Sequence, residues 1–177
     1  MTNLSEVELQ TRLSQVKLLA LDVDGILTDG GLYYTDSGEE MKKFNVKDGQ
    51  GLQVLMKAGV DVAIISAGTS QSTLHRAKKL GILHTFLGVE DKLVALKALC
   101  QKLNLSLSQV AYVGDDINDI PTLQAVGCPL TVADAMPANR ACALYVTRQP
   151  GGQGAVREIC DLIVQLHSQP EDQVTSI

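Results

Sequence analysis

With 177 residues, 45% of them apolar and only 3% aromatic, the chain suits a single domain built around an aliphatic α/β core. A formal net charge of −5, with lysines and arginines scattered along the chain, leaves no basic footprint for a nucleic-acid backbone. No apolar run is long enough to span a bilayer and no secretory leader pattern opens the chain, so neither nucleic acid nor membrane is expected as a partner and the cytoplasm is the expected compartment.

Ser5 to Glu8 has the form of a capping box, and Leu9, Leu13 and Val16 add an apolar stripe, which predicts a first helix. The run from Leu18 to Leu21 reads as a buried strand that ends on two aspartates one residue apart, Asp22 and Asp24, followed by Gly25. After Gly30 the pattern changes. Gly31 to Thr35 and Glu39 to Val46 are short extended runs joined by Asp36-Ser37-Gly38, which predicts a projecting β-hairpin over 31–46 and a candidate flap.

From there helices and strands alternate: a helix from Gly49 to Ala58, a strand from Val60 to Ile65, a helix from Ser70 to Leu80 closed by Gly81, and a strand from Thr85 to Val89. A helix from Asp91 to Leu103, a strand from Val110 to Val113 and a helix from Asn118 to Ala125 follow. The last elements are a strand from Pro129 to Val132, a helical turn after Pro137, a strand from Ala143 to Thr147 and a closing helix from Ala155 to His167. This alternation predicts a three-layer, Rossmann-like α/β domain over 1–177, with a parallel sheet, helices on both faces and no insertion of cap-domain size. The polar residues 170–177 read as a flexible tail.

Carboxylates are costly to desolvate without a partner, so the acids at the end of the first strand need a cation or a hydrogen-bond network. In a parallel sheet the strand ends bearing Asp22 and Asp24, Ser66, and Asp115 and Asp116 converge on one edge, where ligands of open α/β sheets sit. Asp116 or Asn118 also suits a helix N-cap. Oxygen-only ligands point to a hard cation, and a few carboxylates with water and a phosphate oxygen fit Mg²⁺. Phosphoryl transfer then has a nucleophile in Asp22 and an acid/base in Asp24. Ser66, with neighbouring backbone N–H groups, is placed to bind a phosphate oxygen. Cys100, Cys128, Cys142 and Cys160 lack metal or disulfide spacing and read as reduced thiols.

Asp22-x-Asp24-Gly25, Ser66 at the end of the next parallel strand, Lys92 opening a helix, and Gly114-Asp115-Asp116-x-x-Asp119 resemble, in order, the four motifs of the haloacid dehalogenase superfamily, capless type. More narrowly, the segments 22–30, 44–49, 111–116 and 151–158 are similar to those of its members that act on a phosphorylated eight-carbon keto-sugar acid, 3-deoxy-D-manno-octulosonate 8-phosphate, in lipopolysaccharide biosynthesis. The resemblance implies Mg²⁺ bound by the Asp22 carboxylate, the Asp24 main-chain carbonyl and the Asp115 carboxylate, with Asp119 supporting its water shell. It implies catalytic roles for Asp22, Asp24 and Lys92, and substrate contacts from Ser66, Ala67, Arg76, Gly152 and Gly154. It also implies a homotetramer, consistent with a hairpin that carries Leu32, Tyr33, Tyr34 and Phe44 and is too apolar to stand alone.

Two departures bear on substrate identity. The run Ser66-Ala67-Gly68-Thr69 lacks the arginine that relatives of this type commonly carry after the Ser or Thr, and Gln153 stands where they are often basic. Arg76 and Arg157 remain as anion partners. Three glycines among residues 151–154 predict a mobile loop able to approach a ligand. Two alternatives stay open: a phosphatase of a nine-carbon keto-sugar acid 9-phosphate, and a phosphatase-like module that assembles without catalysis.

Overall fold

The computed structural model describes residues 6–168, so the capping residue Ser5 and the tail from Pro170 lie outside the described residues. The chain runs α1 (Glu6–Ser14), β1 (Leu18–Leu21), β2 (Tyr33–Tyr34), β3 (Glu40–Met41), α2 (Val46–Lys57), β4 (Asp61–Ile65), α3 (Gln71–Leu80) and β5 (His84–Phe86). It continues through α4 (Lys92–Leu103), β6 (Val110–Val113), α5 (Ile120–Ala125), β7 (Cys128–Thr131), α6 (Pro137–Cys142), β8 (Tyr145–Val146) and α7 (Ala155–His167). Six strands form one sheet in the order β5-β4-β1-β6-β7-β8, all parallel, and β2 with β3 forms a separate antiparallel hairpin.

Successive side chains of a strand point to opposite faces, and β1 divides its four residues between two cores accordingly. Leu19 and Leu21 pack with Leu52 and Leu55 of α2 and with Ile159 and Ile163 of α7. Leu18 and Ala20 pack with Leu96 and Leu99 of α4 and Leu123 of α5. All four are fully buried, which is why β1 is a continuous apolar run with no polar alternation. From β1 the chain builds outward to β4 and β5, then returns to build β6, β7 and β8 on the other side. The reversal puts a crevice at the carboxyl ends of β1, β4 and β6, where ligands of such sheets bind.

The hairpin and its exit differ from the sequence reading. Its strands are two residues each, because a ribbon with no further strand beside it is stabilised only by its own pairing. The second strand does not continue to Val46: Asn45 accepts a hydrogen bond from Lys47 N at 2.8 Å and caps α2, which begins at Val46, three residues before the expected start. The helix expected from Asn118 is a 3-10 turn, Ile117–Asp119, followed by α5. Asp116 caps that turn, and Pro121, without an N–H, sits in the first turn of α5, where no donor is needed.

Candidate active site

Asp22 extends β1, its N–H donating to Val113 O at 3.0 Å. Its Oδ1 accepts from Val23 N at 2.7 Å, and its Oδ2 lies 2.8 Å from Lys92 Nζ. Lys92 opens α4, which Asp91 caps through Val94 N at 2.9 Å, and this capped start directs the lysine inward. The buried Lys92 ammonium bridges Asp22 Oδ2 and Asp119 Oδ1, the latter at 2.7 Å. Burial pulls the Lys92 pKa down, and the carboxylates of Asp22 and Asp119 outweigh it, so the lysine titrates above its ordinary range.

Asp119 is completely buried. Its Oδ1 also accepts from the Tyr112 hydroxyl at 2.6 Å, and its Oδ2 accepts from Asp115 N and Asp116 N at 3.0 and 3.3 Å. Four donors occupy its two oxygens, so the structure makes Asp119 the anchor of Lys92 and of the 115–116 backbone. Asp115 follows β6 and approaches the turn after Asp22 closely. Gly25, at φ +79°, permits this, since a Cβ there would lie 1.9 Å from Asp115 Oδ2. Asp24 is half-exposed, with Oδ1 held by Lys42 of the hairpin. Ser66 is buried at the end of β4, its Oγ accepting from Gly68 N at 3.1 Å.

Asp22, Asp24, Ser66, Ala67, Lys92 and Asp115 thus line one cleft of about 270 Å³. The remaining expected substrate residues lie elsewhere. Arg76 donates to Asn45 O at 3.0 Å, stands 6.0 Å from the Phe44 ring centre, and lines a wider neighbouring cleft of about 940 Å³ between the hairpin and α3. Gly152 is buried against Thr28 and Asp29, Gly154 is buried beside Asp48, and neither lines the carboxylate cleft. Their loop is tied down, contrary to the mobility its glycines predict. Gly151 N donates to Asp134 at 2.9 Å, Gly152 N to Ile26 O at 2.9 Å, Gly154 N to Asp48 at 3.3 Å, and Asn45 Nδ2 to Gly152 O at 3.1 Å. Close packing is the reason for glycine here: a Cβ on Gly151 would fall 1.7 Å from Gly25 O. Arg157, considered as an anion partner, pairs with Asp161 at 2.8 Å.

One lysine serves a cluster of three carboxylates, and burial together with surplus negative charge shows in the titration of Asp22 and Asp115. Desolvation first, then Lys92 against Asp119, leaves the Asp22 pKa raised to about 6. Desolvation and the charges of Asp22 and Asp119 raise that of Asp115 to about 7. Carboxylate oxygens of Asp22, Asp115 and Asp119 come within 4.8 Å of one another, and no histidine or cysteine lines the cleft. An all-oxygen set carrying surplus negative charge fits a hard divalent cation.

A stability test follows from these shifts. Between about pH 4 and 7 the metal-free folded state binds protons that the unfolded state has released, so its stability falls as pH rises through that window. Mg²⁺ reverses the loss where the acids are ionised. At a hundredfold excess over its dissociation constant the gain is about 2.7 kcal/mol, roughly 5–11 °C in Tm for a chain of this size. Thermal melts with EDTA or Mg²⁺ should show a larger gain near pH 8 than near pH 5. Equal gains would place the ion elsewhere.

A parallel sheet with this acid cluster at its switch point defines a hydrolase of the haloacid dehalogenase type, and the family model for haloacid dehalogenase-like hydrolases matches residues 45–127. The chain is 47% identical over 153 residues, 86% of its length and 82% of the relative's, to 3-deoxy-D-manno-octulosonate 8-phosphate phosphatase of Yersinia pestis. It superposes on the crystal structure of that phosphatase from Moraxella catarrhalis, in complex with magnesium, phosphate and KDO, with a TM-score of 0.89 at 43% identity, covering 91% and 92% of the two chains. The cobalt-bound phosphatase of Haemophilus influenzae gives 0.85 at 39% identity, covering 88% and 91%. The chain belongs to the 3-deoxy-D-manno-octulosonate 8-phosphate phosphatase family.

Sequence reasoning missed three partnerships of the site: Lys42 with Asp24, Tyr112 with Asp119, and Asp48 with the start of α7, where it accepts from Arg157 N at 2.8 Å. The first pair is 18 residues apart, the second seven and the third 109, and no spacing rule signals any of them.

Proposed function

We infer that this protein is a Mg²⁺-dependent phosphomonoesterase that hydrolyses 3-deoxy-D-manno-octulosonate 8-phosphate to the sugar acid and inorganic phosphate, a step in lipopolysaccharide biosynthesis. The observation that carries the reading is the convergence of Asp22, Asp24, Lys92 and Asp115 on one cleft, in a chain so similar along its length to enzymes of this name.

The Asp22 carboxylate attacks phosphorus as the phosphorus–sugar oxygen bond breaks, forming an aspartyl-phosphate. Asp24 gives a proton to the departing sugar oxygen, then takes one from the water that attacks phosphorus and releases Asp22. Lys92 holds Asp22 in place and stands beside the transferring oxygens, and Asp119 behind it fixes both Lys92 and the backbone of Asp115. Bound through Asp22 and Asp115, with the Asp24 main-chain carbonyl as a third donor, Mg²⁺ supplies positive charge for the phosphoryl oxygens. Ser66 and the N–H groups of the turn around Ala67 face the same oxygens. Arg76, in the wider cleft, is assigned to the anionic end of the sugar acid. Gly152 takes a supporting role behind the Asp22–Gly30 turn, and Gly154 donates to Asp48 at the start of α7.

Phosphate release across a panel tests this, with the octulosonate 8-phosphate, a nine-carbon keto-sugar acid 9-phosphate and hexose phosphates assayed with and without Mg²⁺. The octulosonate ester is expected to give the highest kcat/KM, and only with the metal. Faster turnover of the nine-carbon ester would reassign the substrate, and no release from any ester would leave an assembly module.

Assembly and location belong to the same proposal. Leu32, Tyr33, Tyr34 and Met41 are exposed on the hairpin, and this apolar exposure supports a homotetramer in which other copies would cover them. Light scattering at micromolar concentration is expected to give four chains per particle, and a fully active monomer would refute it. No helix among the described residues is long and apolar enough to cross a membrane, and the four free cysteines are consistent with a reducing cytoplasm.

A further inference from the structure

The hairpin supplies one side chain that the reaction as derived does not use. Lys42 directly follows β3, yet its side chain is only 4% exposed, whereas that of its partner Asp24 is 38% exposed. Its Nζ holds Asp24 Oδ1 and lies 3.0 Å from Glu40 Oε1. Glu40 is two residues earlier, so a strand directs both side chains to the same face, and the glutamate steadies the lysine from its own backbone. Lys42 also lines the wider cleft, while Asp24 lines the carboxylate cleft, so this ion pair stands at the boundary between the two. The other oxygen of Asp24 faces the site. A Cβ built on Gly68 would lie 3.4 Å from Asp24 Oδ2 and 3.5 Å from Ser66 Oγ, which puts Oδ2 beside the loop that faces the phosphoryl group.

We propose that Lys42 is a positioning residue for the acid/base: by occupying Oδ1 it makes Oδ2 the oxygen that carries and returns the catalytic proton, and so couples the hairpin to leaving-group departure. An ammonium group has donors and no acceptor, so the oxygen it holds cannot also carry a proton directed at it. The proton therefore sits on Oδ2. As the bond between phosphorus and the alcohol oxygen breaks and the Asp22 oxygen–phosphorus bond forms, that proton passes to the alcohol oxygen. When water forms its bond to phosphorus and the Asp22 bond breaks, the water proton returns to Oδ2. Without Lys42 the half-exposed Asp24 carboxyl turns freely and either oxygen can be protonated, which dilutes the competent geometry. The proposal rests on Asp24 acting as the acid, as derived above.

The test is a leaving-group series read through kcat/KM, which reports steps up to departure of the alcohol. Aryl monophosphates from p-nitrophenyl to unsubstituted phenyl phosphate share shape and lack sugar-acid groups, while their leaving oxygens grow more basic and depend more on a proton. Lys42→Met is expected to lose no more than about twofold on p-nitrophenyl phosphate and roughly tenfold or more on phenyl phosphate, a part of the roughly 10²–10⁴-fold that general acid catalysis supplies. Asp24→Asn should show the same trend with a larger loss. Lys42→Arg keeps a charged donor and should stay within about threefold of wild type across the series, which also tests the proposal should Lys42→Met fail to fold. A loss uniform across the series, or one confined to the sugar ester, overturns the positioning role while leaving Asp24 as the acid. A flat series for Asp24→Asn removes the acid assignment and this proposal with it.

Discussion

Asp22→Asn should abolish turnover, lowering kcat by roughly 10⁴-fold or more, the scale on which loss of a residue acting in covalent catalysis is felt. An amide cannot attack phosphorus, and it is a poorer ligand for a hard cation than a carboxylate. The fold is expected to survive, because Lys92 keeps Asp119 at 2.7 Å and the amide oxygen of the substituted side chain can still accept from Val23 N. Removing one of three crowded acids also relieves repulsion, so the metal-free Tm should equal or exceed that of wild type. Asp24→Asn should differ in kind with p-nitrophenyl phosphate, whose departing oxygen needs little protonation, since Asp22 still attacks while water attack is impaired: mass spectrometry during turnover should find a phosphorylated chain there and none in Asp22→Asn. Phosphate release at the wild-type rate by purified Asp22→Asn would sink the nucleophile assignment.

Lys92→Met should cost both activity and stability. Methionine fills much of the same space without charge, and it leaves Asp22 and the fully buried Asp119 without the cation they share. Removing one partner of a buried pair costs about 3–5 kcal/mol, because the remaining charge stays desolvated. At about 2–4 °C per kcal/mol, that is a fall in Tm of roughly 6–20 °C. The deficit depends on pH with a definite sign. Without Lys92 the acids are protonated more readily, and a protonated carboxyl needs no cation, so the difference from wild type should shrink from pH 8 toward pH 5. Mg²⁺ should recover part of the loss at the alkaline end and little at the acid end. Thermal melts at both pH values decide this, and a Tm within about 2 °C of wild type at pH 8 would show that Lys92 does not balance the cluster.

The alternating elements, the parallel sheet and the acids at the ends of β1 and β6 were legible in the chain because each is a local signal. Apolar periodicity distinguishes strand from helix within a few residues, Gly81 and Asp91 mark helix ends through their own backbone chemistry, and carboxylates following a buried strand need a cation wherever the fold puts them. The hairpin was legible as a turn between extended runs, but its short strands and the cap at Asn45 were not, since strand length depends on whether a neighbouring strand exists to pair with. How each acid is held depends on packing. Asp119, expected from its motif to support the water shell of the metal, brings a carboxylate oxygen within 4.8 Å of those of Asp22 and Asp115 and is also held by Lys92, Tyr112 and two backbone donors, 27 residues separating it from the lysine. The glycines at 151–154 suggest freedom locally, yet contacts with Gly25, Ile26 and Asp48, more than 100 residues away, take that freedom up. Local chemistry is written in short spacings, whereas partners of a buried charge are chosen by which strands lie side by side, and the reversal of strand order around β1 exists only in the folded chain.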